Sequence, residues 1–176
     1  MTISNEPDLI CFICRPIELK VKVIGIGNPL ASDDAIGLHV ARKLLEMKLP
    51  DNVGVIAAES GGSSILELMT GADKVILIDA TLGGARPGTV HRLSLDDIQV
   101  GKCKLRSLHE INLADLLRIG RLAQPEAFPR KLTIVGIEVA NTGRYRQGLS
   151  DAVRDAIPRA VETVLSEIMS GFASRK

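Results

Sequence analysis

Three stretches of the chain are apolar almost without interruption: Val21 to Ile26, Lys74 to Ile78 and Leu132 to Val139. A strand with one solvated face alternates apolar and polar residues, and a strand covered on both faces does not, so these runs predict central strands of a mostly parallel sheet. Val53 to Ala58 predicts a further strand. Gly88 to Ser94 follows an Arg86-Pro87-Gly88 turn too closely for a crossover helix to intervene, which predicts an antiparallel strand at an edge.

Helical spacing appears between and after these runs. Ile36, Val40 and Leu44 recur every four residues, and Ile65, Leu66 and Met69 form a second pattern that ends at Gly71 in a left-handed cap. Ser107 stands three residues before Glu110, the spacing of a capping box, ahead of Ile111, Leu113, Leu116 and Leu117; this puts His109 in the first turn of a helix. The last helix starts at Ser150, and Val153, Ile157, Val161, Val164 and Ile168 keep helical spacing through Pro158, predicting one kinked helix. The fold class that follows is α/β: a single three-layer α/β/α domain with a mostly parallel central sheet of about five strands and an antiparallel edge strand. Ligands of such folds bind beyond the carboxyl ends of the strands.

The 176 residues suit one domain, which at this length buries about 70% of its extended-chain surface without help from disulfides or a structural metal. Twenty-two basic residues against 21 acidic give a net charge of +1, and the aromatics are three Phe and one Tyr, with no Trp. Neither a basic footprint nor a base-stacking platform is present, so nucleic acid is not an expected partner. The apolar content of 45% includes no run near the roughly 18 residues of a membrane helix, so no membrane insertion is expected. Glu6 and Asp8 precede the first short apolar run where a secretory signal carries basic residues, which makes a cytoplasmic enzyme the expected class. Cys11, Cys14 and Cys103 are too few for a disulfide framework, and an isolated Cys11-Phe12-Ile13-Cys14 reads as free thiols before it reads as half a zinc site or a redox pair.

The first strand runs into Gly25-Ile26-Gly27-Asn28-Pro29-Leu30, which begins like a dinucleotide fingerprint but has Leu30 where the third glycine belongs, and no phosphate-binding Walker loop occurs. His109-Glu110 lacks the second histidine of a zincin because position 113 is Leu113. Gly61-Gly62-Ser63-Ser64 lacks the closing glycine of a nucleophile elbow because position 65 is Ile65. Of Asp33 and Asp34, where a helix begins, one is accounted for as a cap or dipole partner. Asp79 closes a buried strand, where a charge is costly unless paired or bound to a metal. With His109, two carboxylates and one imidazole from separate loops make a donor set for a borderline metal such as nickel or zinc with open coordination positions. Structural ion pairs use the same residue types. His39 in the first helix and His91 on the edge strand read as satisfied or solvated.

Taken together, GIGNPLASDDAIG (Gly25 to Gly37), ESGG (Glu59 to Gly62), VILIDAT (Val75 to Thr81), LHEINLADLL (Leu108 to Leu117) and KLTIVGIEV (Lys131 to Val139) resemble the hydrogenase maturation protease family, in that family's order and spacing. The resemblance covers Lys20 to Ile168. It implies an endopeptidase that removes a carboxy-terminal extension from the large-subunit precursor of a nickel-iron hydrogenase after nickel insertion. It further implies that nickel is carried by the substrate rather than held as a tightly bound cofactor, and that Asp34, Asp79 and His109 recognise it. Water activation stays open between the metal and a carboxylate, Asp34 or Asp79, acting as general base in the manner of an aspartyl protease.

The family often has Asp-Gly-Gly where this chain has Glu59-Ser60-Gly61-Gly62. Residues 1–19 precede the family core as an extension, leaving 20–176 as the protease-like domain. The alternative reading is a non-catalytic maturation scaffold that holds metal or precursor without cutting it.

Overall fold

The computed structural model describes residues 19–59, 62, 64–99, 104–105, 113–140 and 148–173. Strand β1 (Val21–Ile26) leads through a 3-10 turn (Ser32–Ala35) into helix α1 (Ile36–Leu45). Strand β2 (Val53–Ala58), helix α2 (Ser64–Met69) and strand β3 (Lys74–Leu82) follow. Next come β4 (Val90–Leu93), α3 (Leu95–Gln99), β5 (Lys104–Leu105), α4 (Leu113–Ala123), β6 (Lys131–Glu138), α5 (Asp151–Arg154) and α6 (Ile157–Ala173).

The sheet order is β2-β1-β3-β6-β4, with β5 paired to β3. β1, β2, β3 and β6 run parallel, and β4 lies antiparallel against β6 at the edge. The uninterrupted apolar runs are therefore the inner strands, covered on both faces. On one face Val23, Ile76, Ile78, Val135 and Ile137 pack against α1, α5 and α6; on the other Ile24, Leu77 and Ile134 pack against α2, α3 and α4. This is the expected three-layer α/β/α domain, edge strand included. Gly71 takes the left-handed conformation (φ 76°) just past α2, as its helix-ending role requires.

Three details differ from the sequence reading. β3 does not end at Ile78 but continues to Leu82, because β6 pairs with it through Thr81↔Glu138 and β5 joins at Thr81↔Leu105. The terminal helical pattern is two segments rather than one kinked helix. Pro158 has no N–H to offer the carbonyl four residues back, and the turn at Asp155 and Ala156 is closed by the shorter bond from Ala156 N–H to Val153 O. Helix α3 was not expected, yet Ser94 and Asp97 carry its signal: each side chain accepts the other's backbone N–H, the reciprocal pattern of a capping box.

Candidate active site

The chain leaves β1 for β2 on one side and reaches β3 on the other, so strand order reverses between β1 and β3. Open α/β sheets hold their ligands at the carboxyl end of such a reversal. Here the geometry there is specific. β1 pairs with β3 only as far as Gly25↔Ile78, and β5 takes over that edge at Thr81, leaving Asp79 and Ala80 between the two partners.

Asp79 therefore sits within β3, at the point where β1 turns away, and not at the strand's end. It is 1% exposed. Strand alternation puts it on the face of Leu77, which α2, α3 and α4 cover. Its Oδ1 accepts the N–H of Ala80 at 2.8 Å, while Oδ2 is buried with no hydrogen-bond donor among the described residues. Burial, then the negative charge of Asp34, push the Asp79 carboxyl well above the usual carboxylate range, and the Ala80 bond offsets only part of this.

Asp34 reaches the same place from the 3-10 turn after β1, and it too is buried. Close backbone approach seats that turn. A Cβ on Gly37 would collide with the carbonyl oxygens of Ile26 and Ile78, and one on Gly25 would collide with the Gly37 carbonyl and with Ala41. Two glycines thus let α1 begin directly over the ends of β1 and β3. Ser32 stands in the left-handed region at φ 52°, a strained conformation for a residue with a side chain, and its hydroxyl donates to Gly148 O at 3.1 Å.

Asp33 does different work from its neighbour. Its carboxylate accepts the Ser150 backbone N–H at 2.6 Å and the Ser150 hydroxyl at 3.0 Å, where Ser150 is the N-cap residue of α5. Both aspartates lie in the first turn of the 3-10 segment, where a dipole partner is expected, and Asp33 in addition fastens the start of a helix 117 residues away in sequence.

The structure thus brings Asp34 and Asp79 together. His109 lies outside the described residues, as do Ser107, Glu110 and the three cysteines. Among the described residues no group of three His, Cys, Asp or Glu side chains forms a metal site. Glu59 is exposed at the end of β2 and pairs with Arg42 at 3.5 Å; Ser60 is outside the described residues. His91 lies on edge strand β4 with Nε2 3.6 Å from Glu138 Oε2, and half-buried His39 has its pKa lowered by burial and by Arg42. Sequence reading missed Glu138, a fully buried carboxylate at the same end of the sheet.

Two mutually repelling buried carboxylates at the strand-order reversal mark this end of the α/β domain as its candidate functional site. The comparisons with known proteins narrow this. A family model described as hydrogenase maturation protease matches residues 38–167, a span that includes Asp79 and His109 and begins just after Asp34. The hydrogenase 2 maturation protease of Escherichia coli is 31% identical over 152 residues, covering 85% of this chain and 91% of that protein. The coenzyme F420 hydrogenase subunit delta of Methanothermobacter thermautotrophicus is 29% identical over 87% of this chain and 97% of its own length. Among solved structures, the hydrogenase-maturating endopeptidase HybD of Escherichia coli superposes with a TM-score of 0.73 at 29% identity, covering 87% of this chain and 94% of that one. The chain belongs to the hydrogenase maturation protease family, and as a member it is a peptidase and a hydrolase. No helix among the described residues is long and apolar enough to cross a membrane.

Proposed function

We propose that this protein removes the carboxy-terminal extension of a nickel-iron hydrogenase large-subunit precursor in the cytoplasm once nickel has been inserted, and that Asp34, Asp79 and His109 recognise the nickel carried by that substrate. The observation that carries this reading is Asp79 Oδ2: a buried oxygen with no donor among the described residues, beside a second carboxylate. Such an atom is expensive to bury, and a cation is what would satisfy it. Nickel accepts oxygen and nitrogen donors, which fits two carboxylates and an imidazole.

The same electrostatics supplies a reason for nickel gating. Without a cation, burial and Asp34 favour the protonated form of Asp79. Binding of the precursor's nickel favours the ionised form, so metal recognition and the gain of a charged carboxylate are one event. An ionised Asp34 or Asp79 can then take a proton from the attacking water as general base. No resident cofactor is required.

The test is incubation of the purified protein with the precursor in nickel-loaded and nickel-free forms, reading product mass. Loss of a carboxy-terminal peptide from the loaded form alone is the expected result, and His109→Ala should lower cleavage by about a hundredfold or more while leaving the fold intact. Binding of the precursor without cleavage would move the reading to a scaffold. Full activity in His109→Ala would remove the histidine from the site.

A further inference from the structure

Glu138, the last residue of β6, is a buried carboxylate that nickel recognition does not use, and it makes an unusual set of bonds. Its Oε1 accepts three successive backbone N–H groups, from Gly83 at 2.7 Å, Gly84 at 2.7 Å and Ala85 at 3.1 Å. Its Oε2 accepts the Thr81 hydroxyl at 3.0 Å. The main chain of the same residue accepts the Gly88 N–H and donates to Thr89 O, each at 2.8 Å. One residue therefore holds the start, middle and end of the loop joining β3 to β4.

Satisfying the loop's hydrogen bonds does not by itself call for a carboxylate. Leu82 and the residues from Gly83 to Pro87 are exposed, so water could solvate those N–H groups without burying a charge in the sheet. What a carboxylate adds is convergence. Consecutive N–H groups aimed at one anion fix a loop in one conformation, and Gly84 at φ 84° is the left-handed residue that lets them converge.

That loop is placed where a fixed conformation matters. It leaves β3 three residues after Asp79, and its far end at Gly88 lies so close to Ala152 of α5 that a Cβ would collide with the Ala152 carbonyl. The start of α5 is fastened by Asp33 to the turn that carries Asp34. The 82–88 loop, α5 and the 3-10 turn thus form a continuous rim at the carboxyl end of the sheet.

We propose that Glu138 is a positioning residue: it fixes the 82–88 loop as a rigid wall at the carboxyl end of the sheet, against which the carboxy-terminal segment of the precursor lies. The inference rests on the reading of this chain as a precursor-processing peptidase. Glu138 touches neither the substrate nor the reacting atoms. A pre-set wall spares the ordering cost that a mobile loop would exact from substrate binding.

The experiment compares full-length wild type with Glu138→Ala and Glu138→Gln. Glutamine keeps an acceptor oxygen for the three N–H groups and turns an amide N–H toward the Thr81 hydroxyl oxygen. In Glu138→Ala, amide hydrogen exchange at residues 83–85 should accelerate roughly a hundredfold while the central strands are unchanged. The Kd for nickel-loaded precursor, read by calorimetry, and the KM should both rise about tenfold with kcat within about twofold, and Glu138→Gln should recover most of the loss.

Accelerated exchange with an unchanged Kd would overturn the proposal, since the loop would then be clamped without facing the precursor. Loss of melting temperature and kcat together, without rescue by glutamine, would also overturn it in favour of a purely structural role. If wild type binds the precursor but never cleaves it, the peptidase reading fails while the Kd comparison still decides this one; a wild type that does not bind overturns both.

Discussion

Three aspartates at the carboxyl end of the sheet differ in what surrounds them, and the difference assigns their work. Asp33 has both oxygens on Ser150, and Asp34 and Asp79 repel one another in a buried space. Evolution for stability alone would not keep a carboxyl group at position 79. Asn is nearly isosteric, accepts the Ala80 N–H through its amide oxygen and offers N–H to Asp34, so Asp79→Asn should stabilise the protein at pH 7 by about 1–3 kcal/mol, or roughly 2–12 °C in melting temperature, while abolishing cleavage. The pH sign follows from the raised folded-state value. Asp79 contributes stability that is fully present below its unfolded value and is lost as pH rises through the folded one, so the variant's advantage should appear above about pH 4 and grow with pH. Thermal melts of both proteins between pH 4 and 8 check this; a variant less stable than wild type at pH 7 would contradict it.

At the scale of elements, the site depends on α1 starting directly on two strand ends. Gly37→Ala places a methyl group against the carbonyls of Ile26 and Ile78, which cannot move aside as a side chain can, so the helix and the turn carrying Asp34 must lift. A loss of about 3 kcal/mol or more is expected in urea unfolding. Gly54→Ala on β2, where a Cβ meets nothing within 4 Å, is the control and should change stability by less than about 1 kcal/mol. These elements were legible because burial on both strand faces leaves an apolar run and helix packing leaves a four-residue period. Asp79 was picked out by its chemistry but placed at a strand end, since nothing in VILIDAT says that β6 and β5 continue to pair with it. Asp33's bond to Ser150 and Glu138's grip on the 82–88 loop were not legible, because their partners are backbone N–H groups distant in sequence and such donors leave no residue pattern. Pro158 was visible, but whether it bends or divides a helix depends on how Val153 and Ala156 close the turn.

At the scale of the whole molecule, two buried carboxyl groups among the described residues, Asp79 and Glu167, have opposite relations to pH. Toward the amino ends of β3 and β6, Glu167 of α6 meets Lys74 Nζ at 3.2 Å, forms a short ion pair with Arg92 and accepts the Thr133 hydroxyl at 3.2 Å. Lys74 is 3% exposed and also donates to the Glu167 carbonyl oxygen at 2.5 Å. Burial alone would raise the Glu167 pKa, but the hydrogen bonds and charges of Arg92 and Lys74 outweigh it and hold the carboxyl below its ordinary value. A depressed carboxylate contributes stability that is present above its unfolded value and is lost as pH falls through the folded one, the reverse of Asp79. Glu167→Gln removes the charge that pairs with buried Lys74 and should cost about 3 kcal/mol at pH 7, or roughly 6–12 °C in melting temperature. That cost should begin to shrink as pH falls below about 4.5, where the unfolded chain protonates the group, and vanish below the lower value at which the native protein protonates it. Because the network stands at the opposite end of the strands from Asp34 and Asp79, the variant should still process nickel-loaded precursor at 25 °C with an unchanged KM. A melting temperature equal to wild type at pH 7, or a difference that widens toward pH 3, would show that the ion pair does not stabilise the fold. A raised KM with the fold intact would show that the two ends of the sheet are coupled.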